Sequence, residues 1–105
     1  MRIITGTARG CRLKTPKGEA TRPTADRIKE SLLNSLGRRV EAAHVLDLFA
    51  GTGALGLEAL SRGAASALFV DERTASLIEE NAAKTRLLER TEVVRSDALR
   101  ILTRL

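Results

Sequence analysis

The stretch LDLFAGTGALGLEAL, Leu46–Leu60, restricts the fold of this chain more than any other. A short apolar run, VLDLF from Val45 to Phe49, leads into Gly51, Gly53 and Gly56, which stand in G-x-G-x-x-G spacing. An apolar segment with helical character follows to about Arg62, with Gly63 as its stop. A strand that turns on glycines directly into a helix is the opening of a β-α-β unit. Downstream, ALFV (67–70) reads as a second buried strand, and residues 74–88 as a helix with Leu77, Ile78, Ala82 and Leu88 on or beside one face. EVVR (92–95) reads as a third strand, and ALRILTRL begins another helix. Alternating strands and helices demand a parallel sheet with right-handed crossovers. The expected class is therefore α/β, the first half of a doubly wound sheet, with ligands beyond the carboxyl ends of the strands.

Upstream the pattern differs. Residues 2–4 and 11–14 are short strand candidates separated by Gly6 and Gly10, which predicts an N-terminal β-hairpin. TPKGEATRP reads as loop, punctuated by Pro16, Gly18 and Pro23. Thr24 is placed to cap a helix through ADRIKESLLNSL, ended by Gly37. Ile28, Leu32 and Leu36 fall at i, i+4 and i+8, an apolar stripe with Arg27, Lys29 and Glu30 off it.

With 105 residues, 43% hydrophobic and 30% charged, the chain suits one modest folded core rather than disorder. No apolar run approaches the roughly 20 residues of a membrane span, and the N-terminus has no apolar signal region. The single cysteine, Cys11, excludes an internal disulfide, reads as a small half-buried residue and suits a reducing cytoplasm. His44 reads as a surface residue and Phe49 as packing of the turn. The net charge of +5 is uneven: residues 1–44 hold ten Lys/Arg against four Asp/Glu, and residues 45–105 eight against nine. A basic arm (1–44) on a nearly neutral ligand-binding part (45–105) fits a polyanionic partner, and equally a solvated basic surface.

Three acids mark three strand ends. Asp47 lies near the end of the first strand, Asp71 closes the second, and Asp97 follows the third after one linking residue. Asp71 stands 20 residues after Gly51, the spacing at which an acid accepts from ribose hydroxyls. Asp97 is placed to accept from the amino group of a base, with Ala98 and Leu99 as apolar contacts. Either acid reads alternatively as a cap for the helix after it. Asp47, four residues before Gly51, bears on which ligand fits. A dinucleotide would bring negative pyrophosphate toward this carboxylate; S-adenosylmethionine brings an ammonium and a sulfonium, which a carboxylate favours. The pattern favours S-adenosylmethionine and leaves a dinucleotide oxidoreductase as a competing reading.

VLDLFAGTGALGLEALSRGA, FVDE and VVRSDAL resemble the first three motifs of class I S-adenosylmethionine-dependent methyltransferases, a Rossmann-like fold. RIITGTARGCRLKTPKGEATRPTADRIKESLLNSL closely resembles the opening of the bacterial RsmD family, with TRPT, Asp26, Arg27 and Glu30 as signature elements. Leu33 stands where that family usually has Phe. The resemblance implies methylation of the exocyclic amine of a guanine in 16S ribosomal RNA, free or in a 30S assembly particle, by a cytoplasmic enzyme. It implies that Asp47, Gly51, Thr52 and Gly53 line the methionine end of the cofactor pocket. Asp71 and Glu72 would hold the ribose, and Asp97 and Ala98 would face the adenine. Arg9, Arg12, Lys14 and Lys17 would grip RNA phosphates, with Arg22 and Thr24 near the cofactor and the incoming base. No metal site is implied. The family's catalytic element, Asn/Asp-Pro-Pro-Tyr/Phe after the fourth strand, has no counterpart here, since the only prolines are Pro16 and Pro23. The expectation is a fragment ending before the fourth strand, inactive alone and open to self-association along the exposed sheet edge. The alternative is a non-catalytic RNA-binding module with a vestigial nucleotide pocket.

Overall fold

A computed structural model describes residues 2–15, 23–48 and 50–103, with the side chains of residues 23–25 left out. Pro16, Lys17, Gly18, Arg22 and Phe49 lie outside the described residues. The elements run α1 (Pro23–Leu36), β1 (His44–Asp47), α2 (Ala54–Ser61), β2 (Ser66–Val70), α3 (Ala75–Lys84), β3 (Thr91–Val94) and α4 (Ala98–Leu102), with short 3-10 turns at Gly37–Val40 and Leu88–Arg90. The three strands form one sheet in the order β1-β2-β3, and its pairing is parallel, as the alternation of strand and helix requires. The register sets Asp47 beside Phe69 and Phe69 beside Val93.

Helix ends follow their chemistry. Gly63, at φ +109°, stops α2: its N–H donates to Leu60 C=O and that of Ala64 to Ala59 C=O. This double bond pattern satisfies carbonyls the helix end would otherwise leave unpaired. Arg86, at φ +61°, ends α3 in the same way, with Arg86 N–H on Ala83 C=O and Leu87 N–H on Ala82 C=O. The helix is therefore shorter than 74–88. Leu87, not Leu88, turns into the core; Leu88 is exposed. Ile78 and Ala82 are buried as expected, and Leu77 is half-buried.

The N-terminal hairpin reduces to one antiparallel bridge, Arg2 with Arg12, supported by Ile3 N–H on Cys11 C=O and Gly10 N–H on Ile3 C=O. Among the described residues no ladder extends from it, because the intervening main chain pairs with α2 instead. Thr7 N–H donates to Ser61 C=O, Ala8 N–H to Ser61 Oγ, and Ile4 and Thr5 N–H to the two carboxylate oxygens of Glu58. Ile3, Ala8 and Leu13 thereby join the same buried cluster as Leu57, Leu60 and Phe69, with half-buried Cys11 packed against it.

Helix α1 begins at Pro23, so Thr24 falls inside its first turn instead of capping it. Its apolar stripe faces outward, against expectation: Ile28, Leu32 and Leu36 are 63%, 45% and 39% exposed. The buried side carries Leu33 and, unexpectedly, Lys29, both 4% exposed. Lys29 turns inward because Glu58, an acid with no exposed surface on α2, needs a cation; Nζ lies 3.1 Å from Oε1 and donates to Arg2 C=O at 2.7 Å.

Candidate cofactor site

Gly51 and Gly53 adopt φ of +55° and +83°, left-handed values that favour glycine and fold Ala50–Gly53 into a tight turn closed by Gly53 N–H on Ala50 C=O at 2.7 Å. Gly56 answers a different need. It lies on α2 where a Cβ would stand 2.3 Å from Phe69 Cε1, so its bareness lets the helix sit down on β2. Around Gly51, by contrast, a Cβ would meet nothing within 4 Å among the described residues, so none of them packs against that side of the turn.

Asp71 ties this turn to the second strand end. Its Oδ2 accepts the Gly51 N–H at 3.1 Å, and its Oδ1 accepts those of Arg73 at 2.9 Å and Thr74 at 3.1 Å. Burial raises its pKa, but the N–H donors of Arg73, Gly51 and Thr74 outweigh that and hold the carboxyl below its ordinary 3.8. Three of about four acceptor positions on the carboxylate are taken by main chain. Asp97 N-caps α4, its Oδ1 accepting Arg100 N–H at 2.7 Å. The Asp97 carboxylate is thus fixed as a cap, whereas the cap position of α3 falls on Thr74, and Asp71 instead holds the main chain of the turn that leads into it.

Asp71, Glu72, Asp97 and Ala98 line one cleft of about 200 Å3, with Leu48, Arg73 and Ser96. That is below the roughly 300–1,000 Å3 of a pocket enclosing an entire ligand, so the cleft suits one moiety of a larger molecule. Carboxylates for hydroxyl and amino donors, beside apolar Leu48 and Ala98, fit an adenosine group. Gly51 reaches the cleft through its bond to Asp71; Thr52 and Gly53 complete the turn, and half-buried Asp47 ends β1. Leu48, Arg73 and Ser96 were missed by sequence reasoning, since nothing but adjacency to an acid marks them. Among the described residues no group of three or more His, Cys, Asp or Glu is arranged to hold a metal ion, and no helix is long and apolar enough to cross a membrane.

Of the expected RNA contacts, Arg9, Arg12 and Lys14 are exposed on the N-terminal arm, and Lys14 Nζ lies 3.5 Å from Glu80. Lys17 and Arg22 fall outside the described residues, as does the side chain of Thr24. His44 is exposed, its Nδ1 2.7 Å from Ser66 Oγ.

The family model described as conserved hypothetical protein 95 matches residues 1–105. A candidate rRNA methyltransferase of Bacillus subtilis, YlbH, is 42% identical over 104 residues, covering 97% of this chain and 56% of the relative. The ribosomal RNA small subunit methyltransferase D of Escherichia coli is 51% identical over 71 residues, 68% of this chain and 36% of its own length. Among solved structures, that of yhhF from Escherichia coli, described as a candidate methyltransferase, superposes with a TM-score of 0.86 at 42% identity, covering 97% of this chain and 56% of that one. The chain spans about half the length of such relatives, or less. These likenesses establish the α/β, Rossmann-like methyltransferase fold.

Proposed function

The chain belongs to the conserved hypothetical protein 95 (RsmD) family, and from that membership we propose that it carries the donor-binding part of an S-adenosylmethionine-dependent methyltransferase of ribosomal RNA. The observation that carries the reading is the Asp71–Gly51 bond, which joins the glycine turn to a cleft also lined by Asp97 and Ala98. The bound donor would supply a methyl group on a cationic sulfonium. Asp47 would favour the methionine end electrostatically, with Gly51, Thr52 and Gly53 letting it approach the main chain. Asp71 and Glu72 would accept from ribose hydroxyls, and Asp97 and Ala98 would receive the adenine.

Arg9, Arg12 and Lys14, with Lys17, Arg22 and Thr24, would hold 16S ribosomal RNA or a 30S assembly particle, the basic side chains by phosphate contacts that position without reading sequence. The acceptor is the exocyclic amine of a guanine, in the cytoplasm. These 105 residues contain no Asn-Pro-Pro or Asp-Pro-Pro to receive that base. The division of labour is thus a basic arm (1–44) and a partial donor domain (45–105), inactive in transfer alone. Among the described strands β1 pairs on one side only, and its open edge favours self-association. Incubation of the chain with labelled S-adenosylmethionine and 16S ribosomal RNA tests this: binding without transfer is expected, and transfer by these 105 residues alone would refute the division.

A further inference from the structure

Asn81 lies on the buried face of α3 with no exposed surface. Its Oδ1 accepts the Lys14 N–H at 2.7 Å, while its Nδ2 donates to Lys14 C=O and to Thr52 C=O, each at 2.9 Å. The amide orientation follows from its partners: reversed, it would set Oδ1 against two carbonyl oxygens. Lys14 is held through its main chain in both directions, much as a neighbouring strand would hold it, while its side chain stays exposed on the arm. Thr52 lies between the two left-handed glycines of the turn. One nitrogen serves both carbonyls, so they are separated by no more than twice the hydrogen-bond length. The exposed basic arm and the donor turn therefore meet on a single buried amide. Glu58 also ties the arm down, but at Ile4 and Thr5.

We propose that Asn81 is a positioning residue that makes the basic arm and the glycine turn one unit, so that S-adenosylmethionine at the turn strengthens RNA binding on the arm. This rests on the reading of the turn as the donor's and of the arm as the RNA's. Ordering of the turn by the first ligand is transmitted to Lys14, and the second ligand then has less left to order. Linkage makes the effect reciprocal, so RNA strengthens donor binding by the same factor.

The test combines amide hydrogen exchange on the free, full chain with RNA binding measured with and without S-adenosylmethionine. Asn81→Asp keeps the volume but sets an acceptor against the two carbonyls; Asn81→Ser shortens the reach without adding charge. Lys14→Ala is the control, since it removes the side chain and keeps both main-chain bonds. In the wild-type chain the donor is expected to tighten RNA binding by on the order of 5-fold or more. In either Asn81 variant that gain disappears, and exchange quickens at Lys14 and Gly53 together. Lys14→Ala weakens RNA binding but keeps the gain and the slow exchange. Quickening at Lys14 alone, or a gain undiminished in both Asn81 variants, overturns the inference. Wild-type chain that binds both ligands without mutual gain overturns it while the functional reading stands. Wild-type chain that binds neither ligand overturns the functional reading and the coupling with it.

Discussion

Lys29 Nζ lies 3.1 Å from Glu58 Oε1, with the two side chains 4% and 0% exposed, so an ion pair stands where α1, α2 and the N-terminal arm meet. Arg62 adds Nε at 3.4 Å from Oε2, and the main-chain N–H groups of Ile4 and Thr5 complete the acceptor's partners. Lys29→Met removes the closest cation and leaves the buried carboxylate to Arg62 and the two main-chain N–H groups. A loss of about 1.5–3 kcal/mol is expected, read as a lower urea midpoint. A change under about 1 kcal/mol, typical of exposed pairs, would show that water reaches Glu58.

That pair also marks where the sequence misleads. By period alone, Ile28, Leu32 and Leu36 form the better inward face of α1, and Lys29 an ordinary surface charge. What reverses the helix is Glu58, 29 residues away, whose burial no local pattern near α1 encodes. A hint existed in ALGLEALS, where one acid interrupts an otherwise apolar helix. Asn81 is a similar case, an amide three residues after Ile78 on the apolar side of α3. The parallel strand-helix alternation, the glycine turn and the strand-end acids were legible because periodicity and glycine geometry are local. The hairpin was not, because its main chain spends its hydrogen bonds on Ser61 and Glu58 instead of on a partner strand.

Gly56→Ala would place a methyl group 2.3 Å from Phe69 Cε1, and the Phe69 side chain is fully buried. Overpacking of this kind costs about 1–3 kcal/mol. Thermal unfolding is expected to fall by several degrees, and an unchanged midpoint would mean that α2 lifts off the sheet without penalty.

Asp71 gives a pH dependence of known sign. Its folded pKa is below the ordinary 3.8, so its contribution is full above that value and is lost as pH falls through the folded pKa. Asp71→Asn keeps one acceptor oxygen and removes the titration. The stability gap between wild type and variant is expected to be widest near neutral pH and to close below pH 3.8, as urea midpoints at stepped pH would show. A gap independent of pH would mean that the Gly51, Arg73 and Thr74 N–H groups do not depend on the charge.

Arg9→Ala and Arg12→Ala remove exposed arm charges. If each contacts one phosphate, RNA affinity drops for any sequence and the slope of log K against log salt shrinks by about 0.7–0.9 per contact. Filter binding across a salt series checks this; an unchanged slope in both variants would assign the arm's charge to solubility.

The most direct measurement is calorimetric titration of the chain with S-adenosylmethionine, adenosylhomocysteine and NAD, repeated on Asp47→Ala and Asp71→Ala. Binding of both adenosyl compounds by the wild type is expected, weakened by Asp71→Ala for both. Asp47→Ala should weaken both, and most the donor, whose sulfonium is charged; NAD should give no comparable heat. Tight NAD binding with no response to either adenosyl compound would contradict the assignment of this cleft to a methyl donor.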